Sequence, residues 1–566
     1  MFHTILGLYS RGVNLGAATG LIGSSEQLWK TLPWRAAMKI LKAAQMAEVD
    51  RLTTEQHLIP SILLMENAGR SVADQLGNDC PGLLHKNIAI LCGRGNNGGD
   101  GFVVARYLSL RGATPSVLLF SDPEKLKGDA LTNWKIIRTM DLPIQILPTP
   151  SEAKSYLRKI VPPDVIVDAL FGTGLSKAIG PDFRGIIEWI NRNSSTAYVA
   201  AVDIPSGVMA DSPEIPGPAV RAHLTVTFSA LKLAHVIPPA SDYAGKVVLA
   251  PIGSPSALFE KGEYHMNLID REQVRKALPP RTRESHKGSY GHVYVVAGSR
   301  GKSGAALMTG LSALRSGAGL VTLWVPKGLQ RDIAGKYPEL MTEFLPQTED
   351  ETSDRAGADR VLEQLSQVEA LVLGPGLTTN PSTRRLVWEL VRNATVPVVI
   401  DADGINAFVP PAEPLRNEAG QPVVITPHPG EMARLMGKNI SDVQRNRLET
   451  ARECAARYHC YVILKGFQTV IATPEEDLFI NNTGNPGMAT GGTGDILAGM
   501  VGRFVAGWNK ERSAGKDCDL ADYIAAAVHL HGLAGDLAAE EEGMESLIAT
   551  DLLVYLPKAF KKVLDK

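Results

Sequence analysis

The sequence predicts an α/β protein built from two doubly wound, three-layer domains. Short apolar runs of strand length alternate with helical patterns along most of the chain, the order that produces a mostly parallel sheet with helices on both faces. Glycine-rich turns join a strand to a helix in each half, at residues 93–101 and 298–304. Polar and charged residues gather where apolar runs stop, and doubly wound sheets bind ligands at the carboxyl ends of their strands. The length of 566 residues accommodates two or more domains. With 44% hydrophobic and 21% charged residues the chain is globular rather than disordered, and a formal net charge of -2 supplies no basic footprint for nucleic acid. Five cysteines without a CxxC pair argue against a disulfide framework or zinc site and for a reducing cytoplasm. No apolar run approaches the roughly 18 residues of a membrane span.

Residues 1–37 are expected to be an extension, disordered or not native. They lack a charged segment followed by a long apolar core, and Met38-Lys39-Ile40-Leu41 reads as a natural beginning. A helical pattern starts near Met46 and continues through Leu63, Met65 and Val72. Asn87–Cys92 reads as a buried strand, and Gly93–Gly101 leads from it into a helix over Phe102–Leu110. Further strands are expected at 116–120, 144–147, 165–170, 197–202, 224–229 and 247–250. Gly93, Gly95 and Gly98 match a dinucleotide fingerprint, with Asp122 in the place of the ribose acid. The turn also carries Asn96, Asn97 and Asp100, whose oxygens could hold a cation while its backbone amides hold phosphate. Asp168 ends one strand before a glycine turn, and Asp203 with Ser206 ends the next.

Asn-Asn-Gly-Gly-Asp-Gly, Asp-Ala-Leu-Phe-Gly-Thr-Gly-Leu and Asp-Ile-Pro-Ser-Gly together resemble the YjeF N-terminal family, the NAD(P)H-hydrate epimerases of Rossmann-like fold. The domain is expected over residues 38–262. The resemblance implies a potassium ion on Asn97, Asp168 and Ser206. It implies hydrate contacts from Asn96, Asn97, Gly98, Gly99 and Asp100, from Gly172, Thr173, Gly174, Leu175, Ser176, Lys177 and Ala178, and from Asp203. In the hydrate a hydroxyl sits on the carbon beside the ring nitrogen. That nitrogen can expel it, leaving a planar iminium to which water returns from either face, so a carboxylate that shuttles a proton suffices. Asp168 and Asp203 are the candidates, and which of them is the base stays open. If Asp168 is mainly a cation ligand, Asp203 is the better base.

Residues 254–284 read as a helix and linker at a domain border. Strand His292–Ala297 then runs into the turn 298–306. Gly301-Lys302-Ser303 is not a P-loop, because the required earlier glycine is Val296. Later strands end at Gly374-Pro375-Gly376, at Asp401-Ala402-Asp403-Gly404, at Thr426-Pro427-His428-Pro429-Gly430-Glu431 and at Lys465-Gly466. The run Asn485–Met500 crowds glycines into a loop and then opens a helix, with Ile496, Leu497, Met500, Val501, Phe504 and Val505 on one face. Free amides at such a helix start suit phosphate. Asp495 either caps this helix or takes a proton from a substrate hydroxyl.

Lys-Gly-Ser-Tyr-Gly-His-Val, Gly-Pro-Gly-Leu, Asp-Ala-Asp-Gly, Thr-Pro-His-Pro-Gly-Glu, Leu-Lys-Gly and Gly-Gly-Thr-Gly-Asp resemble, in this order, the ribokinase-like NAD(P)H-hydrate dehydratases. This domain is expected over 263–566. The resemblance implies hydrate contacts at Ala305, Gly376, His428 and Asp495, and nucleotide contacts at Lys465, Gly466, Phe467, Gln468, Thr469 and Gly494. It implies ADP, or ATP, as a consumed co-substrate, with Mg2+ accompanying it on no assigned protein ligand. Asp495 would deprotonate the hydrate hydroxyl, which attacks the terminal phosphoryl group. Phosphate then leaves and NADH or NADPH is restored. Expected partners are the hydrates of NADH and NADPH, with no nucleic acid, no membrane and a homo-oligomeric state. Two other readings are a ribokinase-like small-molecule kinase fused to a non-catalytic binding domain, and a scaffold role for the first half such as related domains play in RNA-associated assemblies.

Overall fold

A computed structural model describes residues 38–261, 263–409 and 414–565. The expected extension over residues 1–37 lies outside the described residues. The first half forms a seven-stranded sheet in which every neighbouring pair is parallel. Across the sheet the strands run Ile144–Ile146, Ser116–Leu119, Ile88–Cys92, Val165–Ala169, Tyr198–Val202, Leu224–Phe228, Lys246–Ala250. Chain order reverses between Ile88–Cys92 and Val165–Ala169. Their carboxyl ends diverge into connections on opposite faces, and the crevice left there is the natural ligand position.

The second half repeats this plan. His292–Val296 and Ala370–Leu373 are adjacent and parallel, and they flank the second reversal. Leu320–Pro326 and Met341–Leu345 continue the sheet on one side, and Val398–Ile400, Val423–Ile425 and Tyr461–Leu464 on the other. Beyond Tyr461–Leu464 the sheet turns antiparallel through Val470–Ala472 and Leu478–Ile480. Met266–Leu268 then adds in parallel, and Met38–Lys39 pairs antiparallel with it at the edge. The first described strand therefore belongs to the second sheet. Ile40 and Leu41 follow it into burial, and Ile40 bridges to Leu231 of the first half.

Two sequence expectations change. The helix expected from Met46 to Val72 is two helices, Ala43–Glu55 and Ser61–Asp79. Leu58 has φ 57 in the break, and Pro60, with no N–H to donate, precedes the second helix. The expected helix and linker at 254–284 also contains strand Met266–Leu268 and helix Arg271–Lys276.

Glycines place the two helices that matter most. A Cβ on Gly98 would lie 2.0 Å from the Gly93 carbonyl oxygen, and one on Gly101 would lie 2.7 Å from Ala169 Cβ. Helix Asn96–Leu110 can therefore press its first turn against the strand ends. Helix Thr493–Ser513 does likewise. A Cβ on Gly499 would lie 2.0 Å from the Thr309 carbonyl oxygen, and one on Gly502 would lie 2.3 Å from Val372. No helix among the described residues is long and apolar enough to cross a membrane.

Two candidate active sites

The first site lies at the first reversal. Asp168, at the end of Val165–Ala169, is fully buried. Its Oδ1 accepts the Ser206 hydroxyl at 2.6 Å and its Oδ2 accepts the Ser206 N–H at 2.8 Å, while Leu170 N–H adds a third bond at 3.3 Å. Burial pushes its carboxyl up to about 6 against the pull of these bonds. Asn97, buried in the first turn of its helix, donates Nδ2–H to the Phe171 carbonyl at 3.0 Å. Its Oδ1 lies 3.1 Å from where a Cβ on Gly172 would sit. Asn97, Asp168, Phe171 and Ser206 thus bring amide, carboxylate, carbonyl and hydroxyl oxygens together, the donor set a hard cation prefers.

Asp203 stands on the other side of Ser206, in a left-handed backbone conformation with φ 63. Its Oδ1 accepts Lys232 Nζ–H at 2.7 Å and the Thr227 hydroxyl at 2.8 Å. Lys232 is only 1% exposed and also donates to Thr227 Oγ1 and the Phe228 carbonyl. His235 donates Nε2–H to the Asp203 carbonyl at 2.9 Å and accepts the Lys232 N–H at Nδ1. Burial alone would raise the Asp203 carboxyl, but Lys232, with His235 and Thr227, outweighs it and holds the group below the usual carboxylate range. Asp100 goes the other way. Burial, then the charges of Asp203 and Asp50, push it well above that range. Asp50 is raised to about 6, by burial first, with Lys232 opposing and Asp203 adding.

The other expected contacts divide. Gly98 and Gly99 are buried beside Asn97, and Asn96 is exposed at the helix start. Gly172 touches Asn97, whereas Gly174, Ser176, Lys177 and Ala178 lie exposed on the loop beyond, with Thr173 and Leu175 half-buried. Asp122, the alternative ribose acid, accepts Glu124 N–H at 3.0 Å as the cap of a short turn. Lys232 and Asp50 were not singled out from sequence. A lysine set in the apolar stretch Ala230-Leu231-Lys232-Leu233-Ala234 was the available signal, since lysine is buried only when paired.

The second site forms around the start of helix Thr493–Ser513, opened by Gly492 at φ 101. Lys465 Nζ donates to Asp401 Oδ1 at 2.6 Å and lies 3.8 Å from Glu431 Oε2. A Cβ on Gly494 would be 3.3 Å from that ammonium, so the glycine turn and the lysine meet. Asp401 is buried; its Oδ1 also accepts the Thr426 hydroxyl at 2.6 Å, while its Oδ2 has no hydrogen-bond partner. Asp495 is raised to about 6, first by burial, then by the Asp401 charge, with Lys465 opposing. Burial is the largest single effect on the Lys465 ammonium and would lower it, but Asp401 and Glu431 together outweigh it and hold the group above its usual range.

Ala305 and Gly376 are neighbours, since a Cβ on Gly376 would lie 3.1 Å from Ala305 Cβ. Lys302 joins this corner to Asp403 at 3.1 Å, and both charges reach Asp495. His428 is the cap of helix Pro429–Met436: its Nδ1 accepts Gly430 N–H at 2.9 Å, and its Nε2 faces Glu431 Oε1 at 3.4 Å. Gly466 has φ 143 and packs against the Arg447 guanidinium, which donates to the Leu464 carbonyl at 3.0 Å. Phe467 is exposed, Gln468 has φ 51, and the Thr469 hydroxyl donates to the Gly466 carbonyl at 3.1 Å. Asp401, Glu431 and Arg447 received no role from sequence. The first two sit in quoted motifs, but their approach to Lys465 is a matter of strand order.

The profile of the YjeF-related protein N-terminus matches residues 61–234, and that of NAD(P)H-hydrate dehydratase matches residues 293–558. The bifunctional NAD(P)H-hydrate repair enzyme of Moorella thermoacetica is 40% identical over 527 residues, 93% of this chain and 97% of that protein. The corresponding enzyme of Thermofilum pendens is 38% identical, over 93% of this chain and 96% of its own. A crystal structure of the ADP/ATP-dependent NAD(P)H-hydrate dehydratase of Bacillus subtilis, co-crystallised with ATP and Mg2+, is 34% identical, covers 52% of this chain and 98% of its own, and gives a TM-score of 0.44.

Proposed function

The chain belongs to the bifunctional NAD(P)H-hydrate repair enzymes, and from that premise we propose that its first sheet epimerises the hydrates and its second dehydrates them at the expense of a nucleotide. The observation that supports this best is the convergence of Lys465, Asp401, Glu431 and Asp495 on the amide-rich start of helix Thr493–Ser513. A positive group and free amides face the position of a transferring phosphoryl group, where they stabilise developing charge. Asp495 takes the proton of the hydrate hydroxyl, whose oxygen attacks the terminal phosphorus of ADP or ATP and displaces AMP or ADP. The ring nitrogen then expels phosphate, and loss of a proton from the neighbouring ring carbon to water leaves the reduced cofactor. Asp401 Oδ2 fits Mg2+ accompanying the nucleotide, because an unpartnered buried carboxylate oxygen is a hard-cation donor. Bound there, the ion would neutralise phosphate charge.

In the first site Asp203 is the better base. Lys232 keeps it ionised, whereas Asp168 spends its oxygens on Ser206 and Leu170. Asp100, whose carboxyl burial pushes well above the usual range, supplies the proton to the departing hydroxyl, and Asp203 takes one from the returning water. Asn97, Asp168, Ser206 and the Phe171 carbonyl fit K+, which when bound would offset the buried Asp168 charge. Five free cysteines support a reducing, cytoplasmic setting. The homo-oligomer is part of the proposal and is tested by light scattering.

The deciding experiment supplies mixed hydrate epimers with ADP or ATP and follows recovery of the reduced cofactor by its absorbance. Recovery with release of free phosphate is expected. A stable phosphorylated product would replace the dehydratase with a kinase.

A further inference from the structure

We propose that the chain carries an anion site remote from both reaction centres, a pocket for a small oxyanion of the phosphate class formed by Arg503 and Arg281 at the amino-terminal end of the second sheet. Arg503 lies on helix Thr493–Ser513, eight residues beyond Asp495, about 12 Å along the axis at the usual helical rise. It is only 7% exposed, and its Nε is buried without a hydrogen-bond partner. Its surroundings are the Phe504 ring, 5.0 Å from Cζ, Tyr290, Tyr523 and a second guanidinium, Arg281. Among the described residues neither arginine enters an ion pair with a carboxylate, although Arg271, Arg275 and Lys510 on neighbouring segments all do.

A buried guanidinium is tolerated when it is both paired and hydrogen-bonded. Arg503 is neither, and the charge that acts on it most strongly, Arg281, has its own sign. Burial and then Arg281 push its guanidinium down to about 10, an expression of the same uncompensated charge. Arg281 is held in place: its Cζ lies 3.8 Å from the Tyr290 ring and its Nη2 donates to the Gly317 carbonyl at 2.9 Å. Its other N–H groups remain for a ligand, and the guanidinium fork matches an oxyanion in two-point geometry. Gly317 keeps the corner open. Its φ is +103, and a Cβ there would lie 2.6 Å from Arg281 Nη2 and 3.6 Å from Arg503 Nε. Two cations around one small corner call for a compact, multiply charged anion.

The test is calorimetric titration of the full chain with inorganic phosphate. Mg2+ and ADP are kept at saturation so that the dehydratase phosphate position is filled, and ionic strength is matched with chloride. One phosphate per chain is expected. Arg281→Gln, at an exposed residue, is expected to weaken it at least about tenfold, the loss of one charge-assisted bond. Arg503→Met is expected to remove binding and to raise the melting midpoint in phosphate-free buffer, because an apolar side chain of similar length no longer buries a charge. Dehydratase turnover at saturating ADP is expected to be unchanged in Arg281→Gln. The proposal falls if the wild type takes up no phosphate, if chloride gives the same heat, or if Arg281→Gln binds phosphate as the wild type does. It also falls if Arg503→Met alters the oligomeric state, which would assign the counter-charge to a second copy of the chain.

Discussion

The two sheets share a strand order and a reversal point, yet they set opposite electrostatic problems. In the first, a lysine fully withdrawn from water is locked to Asp203 and holds its carboxyl below the usual range, beside Asp100, which burial pushes well above that range. In the second, Lys465 is shared between Asp401 and Glu431 at the mouth of a helix, and Asp495 is left near pH 6. The first arrangement suits moving a proton, with one acid and one base kept apart in pKa. The second suits receiving several negative charges at once, with a cation, free amides and a carboxylate for an accompanying metal. The lesson is that the doubly wound plan fixes where chemistry happens, while the partner given to each buried carboxylate decides which chemistry it is.

The contrast breaks most sharply at Asp495. Asp495→Ala is expected to lower nucleotide-dependent recovery by about 10³-fold or more, the upper range for a general base, and to leave epimer exchange intact. If the cofactor is recovered at the wild-type rate, Asp495 is only a helix cap. Lys232→Met is expected to act in mirror image. Epimerisation should fall about 100-fold and dehydration of the reactive epimer should not, because the loss strands a buried Asp203 charge. Chromatographic separation of the epimers reads this directly, and equal losses in both reactions would instead signify general unfolding.

The pH profiles separate the sites next. A base works only when deprotonated, so dehydratase kcat/KM should decline below about pH 6, by about tenfold at pH 5, as Asp495 takes up its proton. Asp203 is depressed below the usual range and stays ionised there, so with K+ saturating, which favours ionised Asp168, epimerisation should hold at pH 5. Parallel profiles would contradict the assignment of bases. The smallest effects concern packing. Gly98→Ala and Gly499→Ala each force a methyl against a backbone carbonyl at 2.0 Å and are expected to cost about 1–3 kcal/mol in urea unfolding. Gly98→Ala should slow the epimerase and Gly499→Ala the dehydratase.

Much of this was legible beforehand where the signal is local. The strands of both sheet centres are continuous apolar runs because both of their faces are covered. Asp168, Asp203, Lys465 and Asp495 could be named because each sits one or two residues from a strand or helix end, and Ser206 because it lies in the turn four residues beyond its strand. The short outer strands of the second sheet resisted reading. Met38–Lys39 and Met266–Leu268 are too short for any periodicity, and their pairing joins segments more than two hundred residues apart. The break between Ala43–Glu55 and Ser61–Asp79 was missed although Pro60 marks it.

By itself the sequence determined the alternation of strands and helices, the glycines that allow close approach, and the identity of the groups at the strand ends. These follow from side-chain period and backbone freedom, which act over a few residues. The pairing of Lys232 with Asp203, of Lys465 with Asp401 and Glu431, and the meeting of Arg281 with Arg503 were decided only by the tertiary structure. A carboxylate's protonation depends on burial and on charges within a few ångströms. Those neighbours are set by the order of strands across a sheet, which no short stretch of chain encodes.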